Sequence, residues 1–150
     1  MLQPAIEILD AHRSMAVSTV RPDGWPQTTV VGYANNGWTV YFLIFRESQK
    51  FANIEHDDRI SIAISGDPSY LGVIKAVYAG AHASEVTDAS ERTLALKLLL
   101  QRHPNLADFG PPDQAETALM RAVCKHVSVL DYSKGIGHTE ALTIGENGSS

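Results

Sequence analysis

The chain has 150 residues, an apolar fraction of 44% and a net charge of −5, values that fit a single soluble globular domain. The acidic balance disfavours nonspecific binding to nucleic acid and docking on an anionic membrane. No apolar run is as long as a transmembrane helix, and the N-terminal stretch lacks the basic region of a signal peptide. The single cysteine, Cys124, excludes an intramolecular disulfide. We expect it to be a buried apolar residue of a cytoplasmic protein.

The first part of the chain alternates apolar runs with strong turn signals. The turn Arg21-Pro22-Asp23-Gly24 and the hairpin signal Asn35-Asn36-Gly37 separate three strand-like segments. Because both turns are short, we predict that these strands pair as an antiparallel meander. The predicted elements are a helix at 3–13, with Ala5, Ile8, Leu9 and His12 on its apolar face, and strands at 15–20, 27–34 and 38–45.

The stretch from Trp38 to Ile64 predicts a strand, a turn, a short helix and another strand. Residues 38–45 carry apolar side chains on both faces, as in a strand covered on both sides. Ser48 is well placed to cap a helix with Phe51 and Ile54 on its buried face. Residues 59–65 alternate isoleucine with smaller or charged residues, which predicts a half-buried strand.

The start of the short helix is suited to an anion. A helix N-terminus offers unpaired N–H groups and a partial positive charge, and Arg46, Ser48 and Lys50 add two cations and a hydroxyl. The alternative is that Ser48 only caps the helix and that both basic residues are solvated. Ser-x-Lys alone does not decide between these readings.

The second part of the chain predicts a loop at 66–72 and a long strand with a bulge or bend at Gly80. Asp88 and Glu91 then form a capping box before a helix that ends at His103-Pro104. The predicted elements are a strand at 73–86, a helix from 88 with Leu94, Ala95 and Leu98 on its apolar face, a short helix at 113–121, and strands at 122–132 and 141–144. Residues 1–145 are predicted to form one domain and residues 146–150 a flexible tail.

The order of elements predicts a mainly β fold of the α+β class, in which about six antiparallel strands curl into a small barrel. Parallel α/β layering is not expected, because no helix joins the first three strands. The segments YFLIFRESQK, ANI, DDRISIAI and YAGAHASEVTD follow the two turns in an order and spacing that resemble the pyridoxamine 5′-phosphate oxidase-related family, including its general-stress-protein branch. The resemblance spans about residues 5–132.

This resemblance implies a six-stranded split β-barrel and a homodimer with one FMN in each of two clefts between the subunits. The strand that precedes Ser-x-Lys and that motif itself would hold the ribityl-phosphate end of FMN, whereas the strand at 27–31 would lie along the flavin. The residues that match these positions are Thr28, Thr29, Val30 and Val31 for the flavin, and Leu43, Ile44, Ser48, Gln49 and Lys50 for the ribityl-phosphate end. The apolar outer face at 38–45 also favours a dimer, because a small barrel has one interior and a symmetric partner is a common cover.

The sequence departs from the family at three of these positions. The family often has Thr at Ile44 and Arg at Gln49, and the oxidase itself has Arg at Thr28. The oxidase's substrate-contacting C-terminal segment also has no evident match here. We therefore expect an FMN-dependent oxidoreductase that exchanges hydride with a nicotinamide or another small molecule, with pyridoxamine phosphate not its physiological substrate. The alternative is a noncatalytic protein that holds FMN, haem or another cofactor.

Other chemistries have less support in the sequence. The six histidines show no paired metal-ligand spacing. The sequence also has no GxSxG motif, so it does not predict a hydrolase of that kind. No residue is predicted to act as a catalytic acid or base. Five basic and aromatic residues could belong to the second subunit's side of a cleft or could point outward from their strands. They are Lys75, Tyr78, Lys125, Tyr132 and Lys134.

Overall fold

The computed structural model describes residues 2–66 and 75–145. The predicted loop at 66–72 lies outside them except for Gly66, as does the predicted tail at 146–150. The elements in chain order are α1 (Leu2–Ala11), β1 (Ser14–Val20), β2 (Pro26–Gly32), β3 (Ala34–Asn36), β4 (Thr39–Phe45), α2 (Gln49–His56), β5 (Arg59–Ser65), β6 (Lys75–Glu85), α3 (Ala89–Arg102), a 3₁₀ helix (Pro104–Phe109), β7 (Thr117–Asp131), a second 3₁₀ helix (Tyr132–Lys134) and β8 (Thr139–Thr143).

All the described strands belong to one antiparallel sheet, which curls into a half-barrel. The sheet has eight strands in the order β2-β1-β5-β6-β7-β4-β3, and β8 pairs with β7. The prediction of about six strands is therefore too low. The short β3 was not predicted, and β8, which overlaps the strand predicted at 141–144, is a full member of the sheet. The antiparallel class is confirmed, and the bulge at Gly80 is confirmed by a register shift between β6 and β7.

The predicted three-strand meander is wrong in its pairing. β2 pairs with β1 and forms one end of the sheet, whereas β4 pairs with β3 and β7. The chain leaves β2 at Tyr33, whose buried hydroxyl donates a 2.5 Å hydrogen bond to the carbonyl of Leu9. β2 ends at Gly32, immediately before this contact with α1, and β3 and β4 form a separate hairpin, whose turn has Gly37 at φ +59°.

The main core fills the inside of the half-barrel. Inward residues such as Val17, Phe42, Ile62 and Val77 form it, and α1 and α2 pack against it through Leu9 and Ile54. Cys124 belongs to this core with 2% exposure, and burial raises the pKa of its thiol to about 12. Its predicted burial is confirmed.

A second, smaller core lies on the outer face of β4, where α3 covers the sheet. Tyr41 and Leu119 pack there against Ala95 and Leu99 of α3. The Tyr41 hydroxyl also donates to Glu91 at 2.8 Å. The apolar outer face of β4 was expected to need a symmetric partner as its cover. That argument for a dimer is wrong, because the chain's own helix α3 covers much of this face.

Two helix predictions need correction in the second half of the chain. The buried face of α3 is formed by Ala95 and Leu99, while Leu94 is 40% exposed. Residues 113–121 do not form a helix. The carbonyl of Asp113 accepts from the N–H groups of Glu116 and Thr117 in a turn, and β7 begins at Thr117.

The N-terminal caps of two helices were predicted correctly, whereas the end of α1 was predicted too late. Ser48 and Asp88 cap α2 and α3 as expected, since their side chains accept from the N–H groups of Phe51 and Glu91. α1 ends at Ala11, so His12 lies beyond the helix on which it was placed. No helix among the described residues is long and apolar enough to cross a membrane.

Candidate cofactor-binding site

Helix α2 is held in place by a buried asparagine. Asn53 has no exposed surface, and its amide donates to Thr19 of β1 at 3.0 Å and to Gln27 of β2 at 3.3 Å. Its carbonyl oxygen accepts from Gln49, one turn earlier, at 2.8 Å. Asn53 thus ties the helix to two strands, and Gln49 is engaged inside this network.

The N-terminus of α2 presents unpaired backbone donors. The Ser48 hydroxyl donates to the carbonyl of Phe45 at 2.7 Å and accepts from the N–H of Phe51 at 3.2 Å. The N–H groups of Gln49 and Lys50 have no acceptor in the part of the chain that the structure describes. Two free donors at the positive end of a helix are suited to an oxyanion.

The two basic residues beside this helix end have different roles. Arg46 forms a bidentate ion pair with Glu85, with both N–O distances 2.7 Å, and also donates to the carbonyl of Gln114. Its cation lowers the pKa of the Glu85 carboxyl. Lys50 is half-buried, burial lowers the pKa of its amine, and no described carboxylate lies within ion-pair distance of it. Of these two basic residues, only Arg46 is engaged in an ion pair with a described residue.

The predicted flavin-contacting residues alternate between the two faces of β2. Thr28 and Val30 point outward; Thr28 pairs with the Ser18 hydroxyl at 2.7 Å, and Val30 is 72% exposed. Thr29 and Val31 are half-buried on the inner face, where the Thr29 hydroxyl is buried without a hydrogen-bond partner. Among the described strands, β2 ends the sheet, and its second edge has no strand paired to it. Its backbone can therefore pair with a ligand.

The two predicted residues on β4 also point in opposite directions. Ile44 is 4% exposed inside the half-barrel, while Leu43 packs against the α3 cluster. Both border a cavity of about 760 Å³ between β4, α3 and the segment 104–117. The nine predicted residues therefore do not surround one cavity within a single chain. They are divided among the end of α2, the two faces of β2 and this cavity.

A second concave surface, which the sequence did not predict, lies on the outside of the sheet. Thr28, Ser18, Ser61, Gly80 and His126 lie opposite one another in register across β2, β1, β5, β6 and β7. They line a cleft of about 410 Å³, which we call the outer cleft. Its sequence signal is the run of small residues at outward positions, but aligning them requires the strand register.

The adjacent row of the outer cleft contains Tyr78, one of the residues considered above for the second subunit's side of a cofactor cleft. Tyr78 lies opposite Ala63 on one side and Ser128 on the other, and it is 43% exposed. The neighbouring basic residues Lys75 and Lys125 are exposed. Among the described residues, no group of three or more His, Cys, Asp or Glu side chains is arranged to hold a metal ion.

The comparison with protein families identifies the family of this chain. The model of the pyridoxamine 5′-phosphate oxidase family matches residues 2–130. The chain belongs to this family. The resemblance deduced from the turns, the Ser-x-Lys motif and the β5 pattern is therefore confirmed. A search of curated proteins found no match.

Solved structures of similar fold bind different cofactors. A haem-binding protein from Mycobacterium smegmatis is 18% identical with a TM-score of 0.78; the match covers 93% of this chain but only 57% of that protein. A FAD-binding protein from Mesorhizobium loti is 18% identical with a TM-score of 0.70, over 86% of this chain and 93% of that one. The haem storage protein HutZ from Vibrio cholerae is 22% identical with a TM-score of 0.69, over 83% and 90%. At these identities the likeness establishes the fold alone.

The buried amide network predicts a stability effect. Asn53→Ala removes the partner of Thr19, Gln27 and Gln49 at once and leaves the buried Thr19 hydroxyl without this partner, at a cost of about 1–3 kcal/mol for that group. The cavity left by the buried side chain adds to the cost. We expect urea unfolding to show a loss of about 3 kcal/mol. Gln49→Ala, which removes one partly exposed member, should cost less than about 1 kcal/mol. Equal losses in the two variants would contradict the central role of Asn53.

Proposed function

We propose that this protein is an FMN-binding flavoprotein that acts as an oxidoreductase on a nicotinamide or another small organic molecule. The observation that carries the proposal is the end of α2. There the N–H groups of Gln49 and Lys50 have no acceptor among the described residues, and the half-buried Lys50 side chain has no described carboxylate within ion-pair distance. A phosphate monoester satisfies both donors and supplies the missing charge partner. The Ser48 cap keeps this helix end in shape.

The residues on β2 fit the remainder of such a cofactor. The free edge of this strand offers backbone donors and acceptors to the polar edge of a flavin. Val30 offers an exposed apolar side chain, whereas the Thr29 hydroxyl is buried on the opposite face of the strand. These features support the earlier placement of 28–31 along the flavin, and β2 and α2 are linked through the Gln27–Asn53 contact.

When bound, FMN supplies the capacity to accept or donate a hydride, so the protein need not provide the redox centre. The chain's own residues bind the phosphate, orient the cofactor and keep the helix end rigid. Assigning catalysis requires a test of turnover. Oxidation of reduced nicotinamide that depends on added FMN would support an enzyme, and binding of FMN without turnover would favour a carrier.

A noncatalytic haem protein is the second candidate. One observation favours it: His126 is exposed in the outer cleft, where an imidazole nitrogen could reach an iron. Two proteins of the same fold bind or store haem. We rank this candidate below FMN because it leaves the unpaired donors at α2 without a role. His126→Ala should abolish haem binding if this candidate is correct.

The first prediction from the proposed function concerns the contact between Lys50 and the FMN phosphate. Lys50→Met should weaken FMN binding by about ten- to a hundredfold, since a hydrogen bond to a charged group contributes roughly 1.5–3 kcal/mol. Riboflavin, which lacks the phosphate, should bind both proteins equally in fluorescence titrations. Because burial lowers the Lys50 pKa, the charged amine is unfavourable in the free protein, and the variant should melt at the same or a higher temperature.

Lys97→Met provides a matched control for this test, because Lys97 is exposed on α3. Its affinity for FMN should equal that of the parent. If Lys50→Met binds FMN as tightly as the parent, or loses riboflavin to the same extent, Lys50 is an ordinary solvated residue and the phosphate site is elsewhere.

The second prediction is a homodimer. The outer cleft is a wide surface of small residues, such as Ala16, Ser61 and Ala63, bordered by the exposed side chains of Val30 and Tyr78. Such a surface suits close packing against a second sheet. Sedimentation velocity at micromolar concentration should give a dimer, and Ser61→Arg should weaken it. A parent protein that stays monomeric with and without FMN would rule the dimer out.

The third prediction is that pyridoxamine phosphate is a poor substrate. Its phosphate needs a cationic clamp of its own, but Thr28 pairs with the Ser18 hydroxyl and Lys134 lies 3.9 Å from Glu140. Steady-state assays with FMN should therefore give an efficiency far below the ordinary enzymatic value of about 10⁴ M⁻¹s⁻¹. Conversion at or above that value would show that a cationic clamp exists.

A further inference from the structure

We propose that the cavity between β4, α3 and the segment 104–117 binds an apolar amine, a molecule with a hydrophobic body and a protonated amino head. We call it the leucine cavity. The inference does not depend on FMN binding, because it rests on the shape, lining and charge of this cavity alone.

The leucine cavity has the size and lining of a small-molecule site. Its volume is about 760 Å³, within the range of roughly 300–1,000 Å³ that is typical of ligand pockets. Apolar side chains from one strand, one helix and the 3₁₀ helix converge on it. They are Leu43, Leu96, Leu99, Leu100, Leu106 and Phe109.

The cavity leaves apolar side chains in water. Phe109 is 84% exposed, Phe45 is 68% exposed and Leu100 is 44% exposed, and all three line the cavity. A hydrophobic ligand that removes these surfaces from water gains the free energy of their burial. Leu99 lies deeper. It is only 2% exposed and belongs to the second, smaller core, so the floor of the cavity is fixed.

The charged groups of the leucine cavity select the head group. Asp113 and Glu116 are its charged lining residues, and no Lys, Arg or His among the described residues lines it. Asp113 caps a turn by accepting from the N–H of Ala115 at 2.9 Å. The Glu116 side chain has no hydrogen bond or ion pair with any described residue. A cation placed at this rim gains a partner, while a carboxylate would face two like charges.

This preference is opposite to that of the neighbouring helix end. Both sites border Phe45, whose carbonyl accepts from Ser48 and whose side chain lies at the cavity. The end of α2 offers N–H donors and Lys50 to an anion, whereas the cavity offers carboxylates to a cation. Arg46 does not alter this contrast because Glu85 neutralises it. The two sites therefore take different ligands.

The test uses the full chain and three ligands of equal chain length: decylamine, decanol and decanoate. Each competes with the neutral fluorophore Nile red in a titration at low ionic strength. We expect decylamine to bind about tenfold more tightly than decanoate, with decanol between them, which is the size of effect that two partly exposed carboxylates produce. Asp113→Asn combined with Glu116→Gln should remove most of that difference and leave decanol unchanged.

Two matched tryptophan variants locate the binding. Leu100→Trp should lower the affinity for all three ligands about tenfold or more, because Leu100 lines the cavity and the larger side chain fills its mouth. Leu94→Trp is the control: Leu94 lies on the same helix, is 40% exposed and does not line the cavity. It should behave as the parent. Both positions are exposed, so both variants should fold, which circular dichroism checks.

Three results would overturn the proposal. They are decanoate binding as tightly as decylamine, equal affinities of Leu100→Trp and Leu94→Trp for the three ligands, and competitive displacement of decylamine by FMN. The last result would make the leucine cavity part of the flavin site. Failure of FMN to bind at all, with the amine preference intact, would instead count against the flavoprotein proposal alone.

Discussion

The buried amide of Asn53 is the contact on which the account of the site depends. It joins α2 to β1 and β2 through Thr19 and Gln27, and it holds Gln49 in the first turn of the helix. A short helix such as α2 has little stability of its own, so its position is set by these contacts and by Ile54 in the core. The free N–H groups at its start are consequently fixed relative to the edge strand β2.

Charge pairing then decides which side chain can serve a ligand. Arg46 and Lys50 look equivalent in the sequence, but Glu85 on β6 engages Arg46 with two hydrogen bonds. Lys50 keeps a charge that burial makes unfavourable and that no described carboxylate offsets. An uncompensated, half-buried cation beside free backbone donors is costly to the free protein, which is a common property of binding sites.

Local patterns in the sequence predicted the parts of the fold that local physics determines. The Ser48 and Asp88 caps, the alternation of Ile60, Ile62 and Ile64, and the bulge at Gly80 follow from short-range preferences. The helix predicted at 113–121 failed because a capping-box pattern also fits a turn. Pairing of β7 with β4 then decided the conformation of the residues after Thr117.

The candidate site was likewise predictable where it is built from adjacent residues, and not where it depends on strand pairing. The end of α2 came from a motif of adjacent residues, whereas the outer cleft combines residues from five strands and needed the register. The faces of β2 and β4 likewise depend on which strands pair. The covering of Tyr41 by α3 could not be deduced from the apolar pattern of β4, which indicates that a cover exists but not which element supplies it.

The identity of the bound cofactor decides between a flavoprotein and a haem protein, and a visible absorption spectrum distinguishes the two. The purified protein would be incubated with equal concentrations of FMN, FAD and haemin, passed through a gel-filtration column and scanned. The account predicts a flavin spectrum, with FMN as the flavin released on denaturation. A haem Soret band, or a colourless protein, would contradict it.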